Sequence, residues 1–161
     1  MQNVMTYEQM RDEYLQHVAD LYRTVTDWTQ SLDPNAELER QQITIREEPV
    51  EPYQAEVLVI KRPAHKIIRL VPAGRWIIGA EGRVDIKSDL GTETLVYVSD
   101  GEPHPRIGSM TENGKVLWKD YPSPSEEDVV HGWVFLQNRA LGMLPCLDRD
   151  LFYRLLEVLG R

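Results

Sequence analysis

The chain predicts an α+β fold: a long N-terminal helix, a twisted, largely antiparallel sheet of about six to eight strands curling towards a half-barrel, and a C-terminal helix packed on the sheet. Three observations predict it. Apolar residues recur every three or four positions from Tyr7 to Leu32, short β-rich runs separated by turn residues follow Pro34, and helical spacing returns from Leu151 to Leu159. The links between the β-rich runs are shorter than the roughly dozen residues a helical crossover needs, so neighbouring strands are expected to pair antiparallel.

Thr6 opens the first helix as its N-cap, and Gln9 three residues later completes a capping box. Its apolar stripe is Tyr7, Met10, Tyr14, Val18, Leu21, Val25, Trp28 and Leu32, with Glu8, Arg11, Asp12, Asp20, Arg23 and Asp27 opposite. At ~1.5 Å per residue such a helix is about 39 Å long, long enough to overhang its sheet. Asp33-Pro34-Asn35 ends it, because the residue before proline is pushed out of helical geometry.

Strands are then expected around Ile43 and Ile45, Val57–Ile60, Ile67–Val71, Trp76–Ile78, Val84–Ile86 and Leu95–Val98. The punctuation between them is Arg62-Pro63-Ala64, Val71-Pro72-Ala73-Gly74, Glu81-Gly82, Asp89-Leu90-Gly91 and Asp100-Gly101-Glu102-Pro103. Asn113-Gly114 predicts a further tight hairpin returning through Val116-Leu117-Trp118. Tyr121–Ser125 reads as an irregular crossing, Ser125–Asp128 as a short capped turn and Trp133–Leu136 as a last strand. The closing helix takes Asp148 as N-cap, with Leu147 and Phe152 as a hydrophobic staple. Leu151, Phe152, Leu155, Leu156 and Leu159 form its buried stripe, and Gly160 ends it. With no repeat or Gly/Ser linker, residues 1–161 read as a single domain.

Composition narrows the function classes. The 161 residues are 42% hydrophobic and 27% charged, enough for a continuous core. A formal charge of −8 disfavours broad nucleic-acid or anionic-membrane binding. The lone Cys146 supplies neither an intramolecular disulfide nor the thiolates of a structural zinc site, and its apolar neighbours argue against a reactive thiol. Met1 to Glu13 lacks a basic segment followed by an apolar run, and no stretch approaches the ~20 apolar residues of a membrane span. The expected compartment is therefore the cytoplasm.

The sharpest enzyme-like feature is Asp85-Ile86-Lys87. Strand alternation sends Asp85 and Lys87 to one face, where a carboxylate could hold a divalent metal and an ammonium could stabilise a developing anion. A metal-dependent phosphodiesterase or nuclease of this kind also needs a second acid, for which Glu56 and Glu81 are the upstream candidates. The same residues also fit the wet side of an ordinary antiparallel strand. His17, His65, His104 and His131 form no compact metal motif, and Asp128 with His131 would supply only two ligands. No nucleophile elbow, Walker loop or dinucleotide fingerprint occurs, so neither a metal nor a cofactor is expected.

Charge is distributed unevenly. Lys61, Arg62, Lys66, Arg69 and Arg75 fall between Val57 and Ala80 without one acidic residue, a candidate patch for an acidic partner or a small anionic ligand. Alternation over two strand faces would disperse them instead. Trp28, Trp76, Trp118 and Trp133 are candidate core residues, whereas Tyr7, Met10 and Tyr14 would form an aromatic anchor if the first helix overhangs. The function expected from these features is a non-catalytic regulatory or accessory module that binds a protein partner or a second copy of itself. The competing readings are the metal-dependent nuclease and an anionic-ligand binder.

Overall fold

The computed structural model describes residues 4–77, 79–99, 129–136 and 146–161, with 129–131 described for their backbone alone. Helix α1 spans Tyr7–Leu32. It is followed by strands β1 (Glu37–Ile45), β2 (Tyr53–Lys61), β3 (Ile68–Gly74), β4 (Arg83–Ser88), β5 (Gly91–Tyr97), β6 (Val129–Phe135) and β7 (Cys146–Asp148), and by helix α2 (Arg149–Leu159). The described strands form one open sheet in the order β1 to β7, every neighbouring pair antiparallel. This is the α+β arrangement expected from the periodicities. The Asn113-Gly114 hairpin, Trp118, the Tyr121–Ser125 crossing, the Ser125–Asp128 turn and His104 lie outside the described residues.

Both helix starts follow from their caps. Thr6 Oγ1 accepts from the Gln9 amide at 3.1 Å while Gln9 Oε1 accepts from the Thr6 amide at 2.8 Å. Asp148 Oδ1 accepts from the Leu151 amide at 2.9 Å, and Leu147 and Phe152 on either side of that cap are both fully buried. Each cap satisfies amides that a helix leaves unpaired in its first turn, about 1 kcal/mol per capping side chain. At the other end of α2, the Gly160 carbonyl accepts from the Lys66 amide at 2.9 Å and faces His65 Nδ1 at 3.1 Å.

The two helices share one face of the sheet. Alternation in β2 to β6 sets Leu58, Leu70 and Ile86 in register across β2, β3 and β4, and Val84, Leu95 and Phe135 in register across β4, β5 and β6. All six are buried against Val18, Leu21, Val25, Leu151, Phe152 and Leu156, and each such side chain contributes roughly 2 kcal/mol of burial. Trp28 meets Phe152 with ring centroids 5.9 Å apart, and Tyr153 donates to the Trp28 carbonyl at 3.1 Å, which ties α1 to α2. Trp133 is buried and donates to the His17 carbonyl at 3.3 Å. On the opposite face Val57, Val59, Val96, Val134 and Cys146 are also buried.

Four expectations change in detail. β1 begins at Glu37, well before the alternating Ile43 and Ile45. β3 runs through Pro72, with an irregularity between Pro72 and Gly74 that accommodates a residue lacking an amide hydrogen. Trp76-Ile77 is no strand: Ile77 makes an isolated bridge to Ala80 within the β3–β4 connection. Tyr22, outside the expected stripe, is buried and its hydroxyl sits where β2 and β3 diverge, 2.6 Å from the Glu56 carbonyl and 3.0 Å from that of Leu70. No helix among the described residues is long and apolar enough to cross a membrane.

Candidate functional site

The structure places Asp85 and Lys87 on the sheet face away from the helices, because Val84 and Ile86 between and beside them face the core. Lys87 is exposed. Asp85 is buried and bonded on both oxygens: Arg83 Nε donates to Oδ1 at 2.9 Å, Arg83 Nη2 to Oδ2 at 3.3 Å, and Thr94 Oγ1 to Oδ1 at 3.0 Å. Glu56 belongs to the other side. Its carboxylate takes Arg40 Nη1 at 3.2 Å, and that guanidinium lies 5.6 Å from the ring centre of Tyr22 on α1. Glu81 accepts from the Ser99 amide at 3.1 Å. The two acids considered as partners for Asp85 are thus engaged elsewhere, and no group of three or more His, Cys, Asp or Glu among the described residues is arranged to hold a metal ion.

The five bases do not converge. Lys61 pairs with Glu39 at 3.0 Å on the outer sheet face. Arg62 lies nine-tenths buried against Asp33 at the end of α1, 3.5 Å from its carboxylate. Lys66 is exposed where its amide donates to the Gly160 carbonyl at the end of α2, and Arg69 stands exposed opposite Lys87 on β4. Arg75 lies at the far end of β3, over the Trp76 ring at 5.8 Å. Strand alternation and a turn have separated residues that are close in sequence.

The helix stripe divides between core and surface. Tyr14 is fully buried, so this residue is corrected from a surface anchor to a core element; its hydroxyl donates to the Arg83 carbonyl at 2.8 Å and accepts from the Gly74 amide at 3.3 Å. Burial raises its phenol pKa well above the ordinary range. Met10 is half-buried, and Tyr7 keeps 54% of its surface exposed. Tyr7 also stands edge-on to Trp76, centroids 6.3 Å apart at 73°. Val4 at 85% and Met5 at 39% exposure precede it in sequence, and through Tyr7 the start of α1 meets the β3–β4 connection, where Arg75 lies over a half-buried Trp76.

Glu47, in the β1–β2 turn, holds this arrangement in place. Its carboxylate accepts from the Arg75 amide at 3.1 and 3.0 Å, from the Trp76 amide at 3.0 Å and from the Tyr53 hydroxyl. Burial, followed by the hydrogen bond to this carboxylate, raises the Tyr53 pKa. Two successive amides aimed at one anion form a backbone nest, which fixes the main chain that carries Trp76. No side-chain motif signals it, since two of the three donors belong to the backbone. Glu47→Ala is expected to cost about 2 kcal/mol in a urea titration, because charge-assisted bonds to three donors vanish together, and Glu47→Gln about half as much. Equal stability of all three proteins would remove Glu47 from this role.

No protein-family model matches the chain, and no curated protein or solved structure matches it either.

Proposed function

We propose that the protein is a cytoplasmic binding module that docks another protein through the start of α1 and the β3–β4 connection. One observation carries the reading: an exposed tyrosine, a half-buried tryptophan edge-on to it and an arginine over that tryptophan occupy one patch, and Val4 and Met5, just before Tyr7 in sequence, are exposed as well. Tyrosine, tryptophan, arginine and methionine are the residue types that protein interfaces concentrate, and Tyr, Trp and Arg supply most of their hot spots. The Glu47 nest supports the reading from below, since a preorganised loop loses less conformational freedom when a partner binds.

The test places a photo-reactive amino acid at Tyr7 and, as control, at the exposed Arg23, whose guanidinium is held by Asp20. The expected result is a discrete covalent adduct from position 7 alone, lost when Trp76→Ala is added. Equal labelling from both positions, or an adduct indifferent to Trp76, would refute the proposal.

A further inference from the structure

The two edges of the sheet are treated differently. β7 has three residues, all buried. β1 has nine, six of them exposed, and pairs with β2 at every position from Glu37 to Ile45 without a bulge. No described strand lies on its other side. Every second residue of β1 therefore points an amide and a carbonyl outward, and a row of such groups is a template for another strand.

Natural edge strands are blunted by charged side chains, lysine above all, by proline, bulges or brevity. β1, Glu-Leu-Glu-Arg-Gln-Gln-Ile-Thr-Ile, has no lysine, proline or bulge and is nine residues long, and its charges are Glu37, Glu39 and Arg40. Two of its three charges are drawn back onto β2, Glu39 by Lys61 at 3.0 Å and Arg40 by Glu56 at 3.2 Å. What remains along the free edge is a regular strand with two uncharged glutamines at its centre.

We infer that β1 is the seam of a symmetric homodimer, pairing antiparallel with β1 of a second copy so that one sheet runs through both. The sequence of the strand selects the register. A two-fold axis normal to the sheet at Gln41, its middle residue, sets Glu37 opposite Ile45, Leu38 opposite Thr44, Glu39 opposite Ile43 and Arg40 opposite Gln42. All nine positions pair and no charge faces its like. Moving the axis to Arg40 or Glu39 sets that residue against itself, which destabilises a ladder, and moving it to Gln42 leaves Glu37 and Leu38 without partners. With the axis normal to the sheet, residues of equal parity share a face, so the helices of both copies lie on the same side. This surface is separate from the aromatic patch, and the inference does not depend on the docking function proposed above.

Sedimentation equilibrium on the full chain should show a concentration-dependent dimer. Gln41→Lys with Gln42→Lys places like charges on the axis and against Arg40, and is expected to raise the dissociation constant roughly tenfold or more. Both side chains are exposed, so circular dichroism of the variant should match that of the parent. In the inferred register Gln41→Cys brings two sulfurs within disulfide reach, whereas Glu37→Cys separates the two copies of that residue by about 26 Å. An oxidised dimer is expected from the first and not from the second. Three results would each overturn the inference: a monomer at every concentration, a dimer indifferent to the lysine pair, or equal cross-linking from positions 37 and 41. A monomer that instead takes an extended peptide along β1 would also overturn it, by naming a different occupant.

Discussion

Gly82→Ala is expected to destabilise the protein by about 3–5 kcal/mol, because overpacking and backbone strain add at a site that cannot yield. A Cβ at this position would lie 2.4 and 2.6 Å from two carbons of the Tyr14 ring, on a backbone at φ +156°. Neither side of that contact is free to move. The Gly82 carbonyl accepts from the Tyr97 amide at 2.9 Å, and the adjoining Glu81 amide donates to the Tyr97 carbonyl at 2.7 Å. Tyr14 is held at the other end of its ring by Arg83 and Gly74. Gly79→Ala is the control: φ is +80° there too, but nothing lies within 4 Å of the added carbon, so only conformational strain of about 1–2 kcal/mol is expected. A second control removes the ring. In a Tyr14→Ala background the extra methyl should cost far less, a non-additivity that contact between the two sites requires. Equal effects at Gly82 and Gly79 in denaturant titrations would show that the close approach is not what restricts this position.

What was legible in the sequence follows from which interactions are local. The Thr6–Gln9 capping box, the Asp148 cap and the staple around it involve residues within five positions of one another, so their residue types declare them. The stripe from Tyr14 to Trp28 and that from Leu151 to Leu159 could be read because burial on a helix repeats with its turn. β1 was mostly hidden for the converse reason: six of its side chains face solvent, and an exposed edge strand has no apolar alternation to read. Pro72 looked like a turn because a proline inside a strand is tolerated only at an irregularity, and irregularities leave no residue pattern of their own.

The candidate site was legible in part and misplaced in part. Asp85 and Lys87 do share a face, as alternation demands, yet the bidentate hold of Arg83 on Asp85 depends on rotamers and on Thr94 from the next strand. Tyr7 and Tyr14 are two turns apart on one stripe and meet opposite fates, since only Tyr14 lies over Gly82, where the absent side chain makes room for its ring. Arg75 and Trp76 read as a basic residue and a core residue. Trp76 does pack against the core, half-buried, and it also meets Tyr7, because its amide and that of Arg75 bind Glu47, a carboxylate 28 positions away from Arg75. Contacts between a side chain and a distant backbone carry no sequence signature, and the centre of this fold is built from them.

The same phenols predict a steep loss of stability in alkali. Tyr14 and Tyr22 are fully buried with hydroxyls on main-chain carbonyls, and burial raises both pKa values well above the ordinary tyrosine value near 10; Tyr53 is raised by burial and by Glu47. A folded pKa above the unfolded one means that, beyond pH ~10, the unfolded chain has released protons that the folded chain retains. The contribution is thus complete below pH ~10 and is lost as pH rises towards the folded values. Each retained proton tilts the balance by about 1.4 kcal/mol per pH unit, so two or three phenols give roughly 3–4 kcal/mol per unit. For a domain at the lower end of ordinary stability, about 5 kcal/mol, that brings unfolding within roughly two units above pH 10. Phenolate absorbance followed beside far-ultraviolet circular dichroism should show a cooperative step shared by both signals. Tyr22→Phe should make the pH dependence shallower by about 1.4 kcal/mol per unit, while losing the bonds to the Glu56 and Leu70 carbonyls. If every tyrosine in the chain ionised reversibly with the helical signal intact, the phenols of Tyr14 and Tyr22 would have to be accessible, and the junction of α1 with β2, β3 and β4 would be wrongly drawn.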